Sequence, residues 1–457
     1  MSNETTVNTA AQQEHMPDYN RTLGFWDLFF IAVGIIIGSG VLVFTGRGIA
    51  QTGRSVCLAY LGAAVWVVCT AIPTFLMCSC IRLIGGAYTQ CNLFLGEKWG
   101  GFYLCLYFLS QMGLNLYAQT FGLYFCELFG GGNEKLIAAI MITFFYILNF
   151  FGVDFMSKAQ NLMSIILLLA LIWFTVRGLP RVDWANFFGG EGWMTNGWGG
   201  LFATSTLLTY SLMGATSLMP YSAQAKNPQR DIPLAGAIST FSIAILFALM
   251  GIVCSGILPL DQVANQTLGV IANHFLTKPE YIFFMAGGAL CAAATTLNGL
   301  IGSVAIPLVM YSHDGWLPKS LGELHPKFKT PYKYLMVYYV ITMAPLFLGV
   351  DISSVTDMTL LGSYTSTAIF IFNMRKIPDM FPEQWEKSIF HMPKGVFNVV
   401  MWICFIGAVF NVIGQITNSD WKTIGFNVAV MVIGVIFSLS WFKTGKVHPS
   451  KSYELET

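Results

Sequence analysis

Charge-free stretches set the rhythm of this chain. Runs of 17 or more residues without Asp, Glu, Lys or Arg occupy 28–46, 55–81, 99–126, 136–153, 159–176, 201–225, 232–260, 282–313, 334–350, 358–374, 395–419 and 423–442. Roughly 20 apolar residues in helical form cross about 30 Å of hydrocarbon. Each run therefore predicts a membrane-spanning helix, twelve in all. Runs longer than about 25 residues predict tilt, or ends that lie in the interface. The stretch 262–277 is also uncharged but carries Gln262, Asn265, Gln266, Asn273 and His274. It is expected to be an extracellular loop. The first apolar run begins near Phe25, and residues 1–20 lack the basic start, apolar core and cleavage site of a signal peptide. They are expected to form a disordered tail.

Composition points the same way. Of 457 residues, 55% are hydrophobic and only 10% charged, with a net charge of +1. A soluble domain is about a quarter charged. These figures exclude a nucleic-acid binder, a disordered chain and an ordinary soluble enzyme; the one partner they require is the lipid bilayer. Twelve spans put both termini on one side. With the termini cytoplasmic, 17 basic residues fall on the cytoplasmic side and 7 on the other, the asymmetry that orients membrane proteins. The expectation is a multi-pass protein of the cell membrane with both ends cytoplasmic. Ten cysteines lie mostly inside apolar runs without a CxxC pair and read as small packing residues. The six histidines are assigned to tails and loops, so neither a metal nor a cofactor is expected. Nothing in the sequence points to a protein partner.

Two runs do not read as continuous helices. The first contains Gly34-Ile35-Ile36-Ile37-Gly38-Ser39-Gly40-Val41. Glycine costs about 1 kcal/mol relative to alanine inside a helix, and backbone left unpaired in lipid costs several more. A break there survives where it lines a cavity or ligand, and its freed N–H groups suit an anion such as a carboxylate. The sixth run, Thr204 to Ser217, is rich in hydroxyls, with Gly214 inside it and Pro220 beyond. Runs one and six begin two five-helix halves, and interruptions at matching positions point to a transporter binding site. Close helix packing through small residues is the plainer reading, and the matched pair outweighs it.

The residues also match a known family. Ile37-Gly38-Ser39-Gly40-Val41, the loop Lys226-Asn227-Pro228-Gln229-Arg230-Asp231-Ile232-Pro233, and Thr296-Leu297-Asn298-Gly299 followed by His313-Asp314-Gly315-Trp316-Leu317-Pro318 and His325-Pro326-Lys327-Phe328 carry the match, with Leu83-Ile84-Gly85-Gly86-Ala87-Tyr88 in support. Over about residues 20–440 the chain resembles the amino acid–polyamine–organocation (APC) superfamily of amino-acid permeases. The resemblance implies an all-α, twelve-helix fold of LeuT type, with a five-plus-five inverted repeat and two C-terminal helices. In this numbering the tail is 1–20, the repeat core 21–377 (helices 1–5 at 21–180, helices 6–10 at 198–377), helices 11–12 lie at 378–443, and a cytoplasmic tail spans 444–457. It implies alternating access around a central site, with the substrate carboxylate on the N–H groups of Gly38, Ser39 and Gly40. The ammonium would meet carbonyls of Ile36, Tyr210 and Met213, beside Gly214. Tyr210, 16 residues before Lys226, takes the place of the family's gating aromatic.

Departures from the family narrow the expected mechanism. Many proton-coupled relatives carry a lysine seven residues after the glutamine matched by Gln160; here that position is Leu167. Two carboxylates common before the loop lysine are Ala223 and Gln224 here, and a helix-8 tryptophan is Leu300. The expected function is amino-acid exchange, in one version an amino acid against its decarboxylated amine. Proton-coupled amino-acid uptake is the alternative. A channel or an intramembrane enzyme is remote, because neither repeated pore rings nor a nucleophile, carboxylate dyad or HExxH inside a span is present. Arg47 and Arg54 are read as solvated or snorkelling, and Glu127 and Glu134 as rim charges. Asp27 is read as favourable charge at a helix start. Gln111, Asn115 and Gln119 share a helix face; they line the cavity or, as the preferred reading, act as interhelical glue.

Overall fold

Among the described residues, each of the twelve charge-free runs is mostly helical. The computed structural model describes residues 19–38, 40–111, 113–189, 192–348, 352–449 and 453–455; Ser39 and most of the N-terminal tail lie outside them. Among the described residues, seven helical stretches are long and apolar enough to cross a bilayer. Their outer faces carry Leu58, Leu61, Val65, Leu162, Leu169, Ile172, Val399, Ile403, Ile406, Val432 and Ile436, all exposed. Contiguous apolar surface on that scale is foreign to a water-facing protein and is solvated by acyl chains instead. The chain is a polytopic, mostly helical membrane protein.

The first run is divided into α1 (Phe25–Ile36) and α2 (Gly40–Thr52). Then come α3 (Val56–Cys80), the short α4 (Ala87–Phe94), and α5 (Gly100–Gln111) with α6 (Leu114–Phe129). Helices α7 (Glu134–Phe150) and α8 (Val153–Gly178) follow. The sixth run gives α9 (Gly197–Leu212) and a 3-10 segment, Ala215–Ala223. Next is α10 (Pro228–Gly256). The eighth run passes through a π-helical stretch, Phe284–Leu290, into α11 (Cys291–Val304) and α12 (Ile306–His313). Helices α13 (Tyr332–Leu348), α14 (Ile352–Met374), α15 (Lys394–Asn418) and α16 (Trp421–Phe442) complete the bundle. Along the core, α3 packs on α9 and α10, while α1 packs on α8, α10 and α11. The broken first run is therefore enclosed by helices from both halves of the chain.

One small sheet joins distant ends of the sequence. β1 (Arg82–Leu83) pairs antiparallel with β2 (Tyr453–Glu454), Arg82 opposite Glu454 and Leu83 opposite Tyr453.

Several expectations change. Arg54 is not solvated: it is only 6% exposed, and its backbone N–H donates to the Gly192 carbonyl at 3.0 Å. Its neighbourhood, Thr52 to Ser55, packs under the 192–195 turn. Arg47 is exposed and lies over the Phe44 ring at 5.3 Å. The expected loop 262–277 holds part of a short helix, Leu260–Val263, and all of another, Leu268–Phe275, whose Leu268, Ile271, Ala272 and Phe275 are buried. His274 and His313 close helices rather than sit in loops. Of the polar face in the third run, Gln111 donates to the adjacent Ser110 at 3.3 Å and Asn115 is buried. Tyr19, inside the expected disordered tail, is buried.

Candidate functional site

The break in the first run is held from outside the helix. α1 ends at Ile36, and Ile37 leaves the helical region with φ −78° and ψ 71°. In a continuous helix the Gly38 N–H would donate to the Gly34 carbonyl. It donates instead to Ile36 O at 2.8 Å. The released Gly34 carbonyl accepts the hydroxyls of Thr295 and Thr296 on α11, at 3.1 and 2.8 Å. One turn earlier, Phe30 O accepts Ser164 Oγ at 2.9 Å. Buried carbonyls left bare cost about 1–3 kcal/mol each, so these hydroxyls are what makes an irregular turn tolerable here. Gly34 has no room for a side chain: a Cβ there would sit 2.1 Å from Gln160 Nε2 and 2.8 Å from Thr295 Cβ.

The break in the sixth run comes from the backbone itself. α9 stops at Leu212, Met213 is extended (φ −71°, ψ 151°), and Gly214 has φ +137°. That region is open to glycine and strained for other residues. The chain then resumes as a 3-10 segment, with Ser217 N donating to Gly214 O at 2.9 Å.

The two breaks touch. A Cβ on Gly214 would lie 2.9 Å from Ile35 Cγ2 and 3.2 Å from the Ile35 carbonyl, and one on Gly40 would lie 3.1 Å from Ser211 Oγ. Tyr210, half-buried, meets Phe44 edge-to-face with ring centres 5.2 Å apart. The Tyr117 ring edge is 3.5 Å from where a Gly38 Cβ would stand, as is Thr296 Oγ1. The Met213 sulfur accepts the Tyr364 hydroxyl from α14 at 3.4 Å. The structure thus gathers Ile36, Gly38, Gly40, Tyr210, Met213 and Gly214 around one centre; Ser39 lies outside the described residues.

Beneath this centre runs a chain of buried amides that the sequence reading did not assign. Asn149 Nδ2 donates to Asn298 Oδ1 at 2.9 Å, and Asn298 Nδ2 to Gln160 Oε1 at 2.7 Å. Gln160 Nε2 then donates to the Thr295 carbonyl at 3.1 Å. The Tyr221 hydroxyl of the 3-10 segment donates to Gly299 O at 2.6 Å. Asn149, Gln160, Asn298 and Tyr221 are all buried. A signal was present: Thr295, Thr296 and Asn298 sit within four residues of one another in the middle of the eighth run. Leu167 is fully buried, and Leu300 is partly buried beside the core. Among the described residues these contacts are made by peptide groups, hydroxyls and amides rather than charged side chains. Among the described residues, no cluster of His, Cys, Asp or Glu is positioned to hold a metal ion.

A family profile described as amino acid permease matches residues 23–437, spanning both breaks and the amide chain. The chain belongs to the amino acid permease family. Its relatives include the branched-chain amino acid permease BcaP of Bacillus subtilis, 23% identical over 463 residues, with 91% of this chain and 92% of that protein covered. The serine/threonine exchanger SteT of the same organism is 24% identical, covering 91% of this chain and 95% of its own length. The methylthioribose transporter, also from Bacillus subtilis, is 24% identical with 81% and 84% covered. This permease is therefore kin to transporters rather than enzymes. The names of its relatives span apolar amino acids, hydroxyl amino acids and a thiosugar.

Proposed function

We propose that the protein is a secondary transporter of amino acids in the cell membrane, working by alternating access and exchanging one small zwitterion or amine for another. The observation that carries this is the mutual contact of two broken helices at Ile35–Gly214 and Gly40–Ser211. An amino acid presents a carboxylate and an ammonium a few Å apart. The Gly38 N–H···O=C Ile36 bond holds one donor and one acceptor at that separation. A bound zwitterion exchanges that internal bond for two charge-assisted ones, which are roughly twice as strong as neutral hydrogen bonds. Gly40 adds a donor at the start of α2, where the helix dipole favours a carboxylate, and Ser39 is carried over from the family motif as a further donor. The carbonyls of Tyr210 and Met213 share the ammonium, and Gly214 lets the chain turn away without a side chain in the site. Tyr210, leaning on Phe44, closes over the substrate and excludes water.

This reading includes twelve spans with both termini cytoplasmic and a LeuT-type inverted repeat, halves 21–180 and 198–377, followed by two further helices. Exchange is preferred over proton-coupled uptake because Leu167, fully buried, places a hydrocarbon where many proton-coupled relatives carry a lysine. SteT, an exchanger by name, supports the same choice. The test is uptake of labelled amino acids into proteoliposomes, with and without amino acid inside. Saturable uptake that needs internal substrate is expected. Saturable uptake driven by a proton gradient alone would replace exchange with symport, and linear flux would remove the transporter reading.

A further inference from the structure

The C-terminal tail crosses the end of the molecule where Arg21, Arg82 and Lys226 lie. There, the segment leading into α1 pairs with the loop that follows the 3-10 segment: Leu23 N donates to Gln224 O at 3.1 Å and Lys226 N to Leu23 O at 2.9 Å. Arg82, 3% exposed, donates from its guanidinium to the carbonyls of Ala225 and Lys226, each at 3.1 Å. Leu83 N donates to Ser222 Oγ at 3.0 Å. The approach to α1, the loop after α3 and the exit of the sixth run thus form one closed junction.

Onto that junction the tail adds β2. Its Glu454 carboxylate spans two guanidinium groups, 2.6 Å from Arg21 and 3.4 Å from Arg82. Tyr453 pairs with Leu83 and sets its ring edge-to-face on Phe381, 5.5 Å between centres. Upstream, His448 N donates to Asp314 O at 2.9 Å, just past α12. The tail therefore ties the junction beside both broken runs to Asp314, just past the eighth run, and to Phe381, beyond the tenth. We propose that residues 446–449 and 453–455 form a releasable strap that keeps this end of the transporter shut and sets how often it opens.

The strength of the contact fits release. A two-stranded pairing is marginal alone, and the exposed Arg21–Glu454 pair contributes little. Such a strap shifts a population rather than locking it. It acts on the broken segments whose movement alternating access requires, so its role in transport rests on the reading above, although its effect on opening does not.

Native Cys80 reports on opening directly. It precedes Arg82, is 1% exposed, and its carbonyl accepts Gln229 Nε2 at 3.1 Å across the junction. Purified full-length protein would be alkylated with N-ethylmaleimide and the adducts followed by peptide mass spectrometry. Glu454→Arg, which repels both arginines, should speed Cys80 labelling at least threefold. Cys254, fully buried within α10, should keep its wild-type rate. Unchanged Cys80 labelling overturns the strap, and so does an equal rise at Cys254, which would mean general loosening.

Leu83→Cys with Tyr453→Cys joins the strap covalently. Oxidation should slow Cys80 labelling below wild type and stop uptake, and reductant should restore both. Labelling equal in the oxidised and reduced forms overturns the strap even where transport is normal. Wild-type protein without saturable uptake would remove the transport reading, and the labelling comparison would still decide the strap.

Discussion

At the turn between α1 and α2, the carbonyls of Phe30 and Gly34 carry hydroxyls from Ser164, Thr295 and Thr296, and Gly34 is pressed against Gln160. At Met213–Gly214 the bend is made by one glycine with positive φ, and the Met213 thioether accepts the Tyr364 phenol. The first break is fastened by neighbouring helices. The second is a swivel in its own backbone. A sulfur acceptor is weak and a methionine side chain adapts easily. On the proposed reading the difference gives the carboxylate to the fastened break, while carbonyls of both breaks share the ammonium. It assigns the variable part, and the closing motion, to the swivel.

The largest expected effect falls where the breaks meet. In Gly40→Leu the new side chain starts 3.1–3.2 Å from Ser211, across the proposed carboxylate site. Uptake should drop on the order of a hundredfold, as misplacing a binding group does, while the protein stays monodisperse. Normal uptake would mean that substrate does not approach the α2 N-terminus. Next comes Gly34→Val, which drives carbon into Gln160 and Thr295 and should destabilise by about 3 kcal/mol, the upper range for overpacking. Thermal unfolding in detergent measures it. A melting temperature within experimental error of wild type would show that the first break is not fastened as described.

Much of this plan could be read before any coordinates. A charge-free run is a one-dimensional property, so the runs that become helices stood out. Gly38-Ser39-Gly40 and Gly214 marked both breaks because glycine in a bilayer helix weakens it locally. What stayed hidden was pairing across the bundle. Gln160 looked like a family marker, and Asn149, near the end of the fourth run, was not singled out; only folding brings both to Asn298. Arg54 was misjudged because burial at a helix end depends on the Gly192 turn, more than a hundred residues away in the chain. The tail pairing with Arg82–Leu83 was hidden for the same reason, since two-residue strands leave no periodic trace.

Tyr210 tests whether the swivel side closes over substrate. Tyr210→Ala removes the ring that leans on Phe44 and leaves the backbone carbonyl in place. KM should rise about tenfold, equivalent to roughly 1.4 kcal/mol, with little change in stability because Tyr210 is only half-buried. Tyr210→Phe should stay near wild type if the ring face is what excludes water. Should Phe fail as badly as Ala, the hydroxyl, not the ring, is the working group.

The smallest effect separates the two breaks most finely. Tyr364→Phe deletes the hydroxyl on Met213 and nothing else, so it should cost under about 0.5 kcal/mol of stability, below the usual range for a hydrogen bond. If the swivel selects the side chain, freeing the Met213 thioether should change the ratio of uptake between two amino acids by about threefold, roughly 0.6 kcal/mol. Competition by a pair differing only beyond Cβ measures it, because both poles of the zwitterion then stay the same. The fastened break supplies the control: Thr296→Val, which bares part of the Gly34 carbonyl, should weaken both competitors equally and leave their ratio alone. A ratio moved by Thr296→Val and not by Tyr364→Phe would reverse the division of labour, putting side-chain choice at the first break and leaving the second to bend.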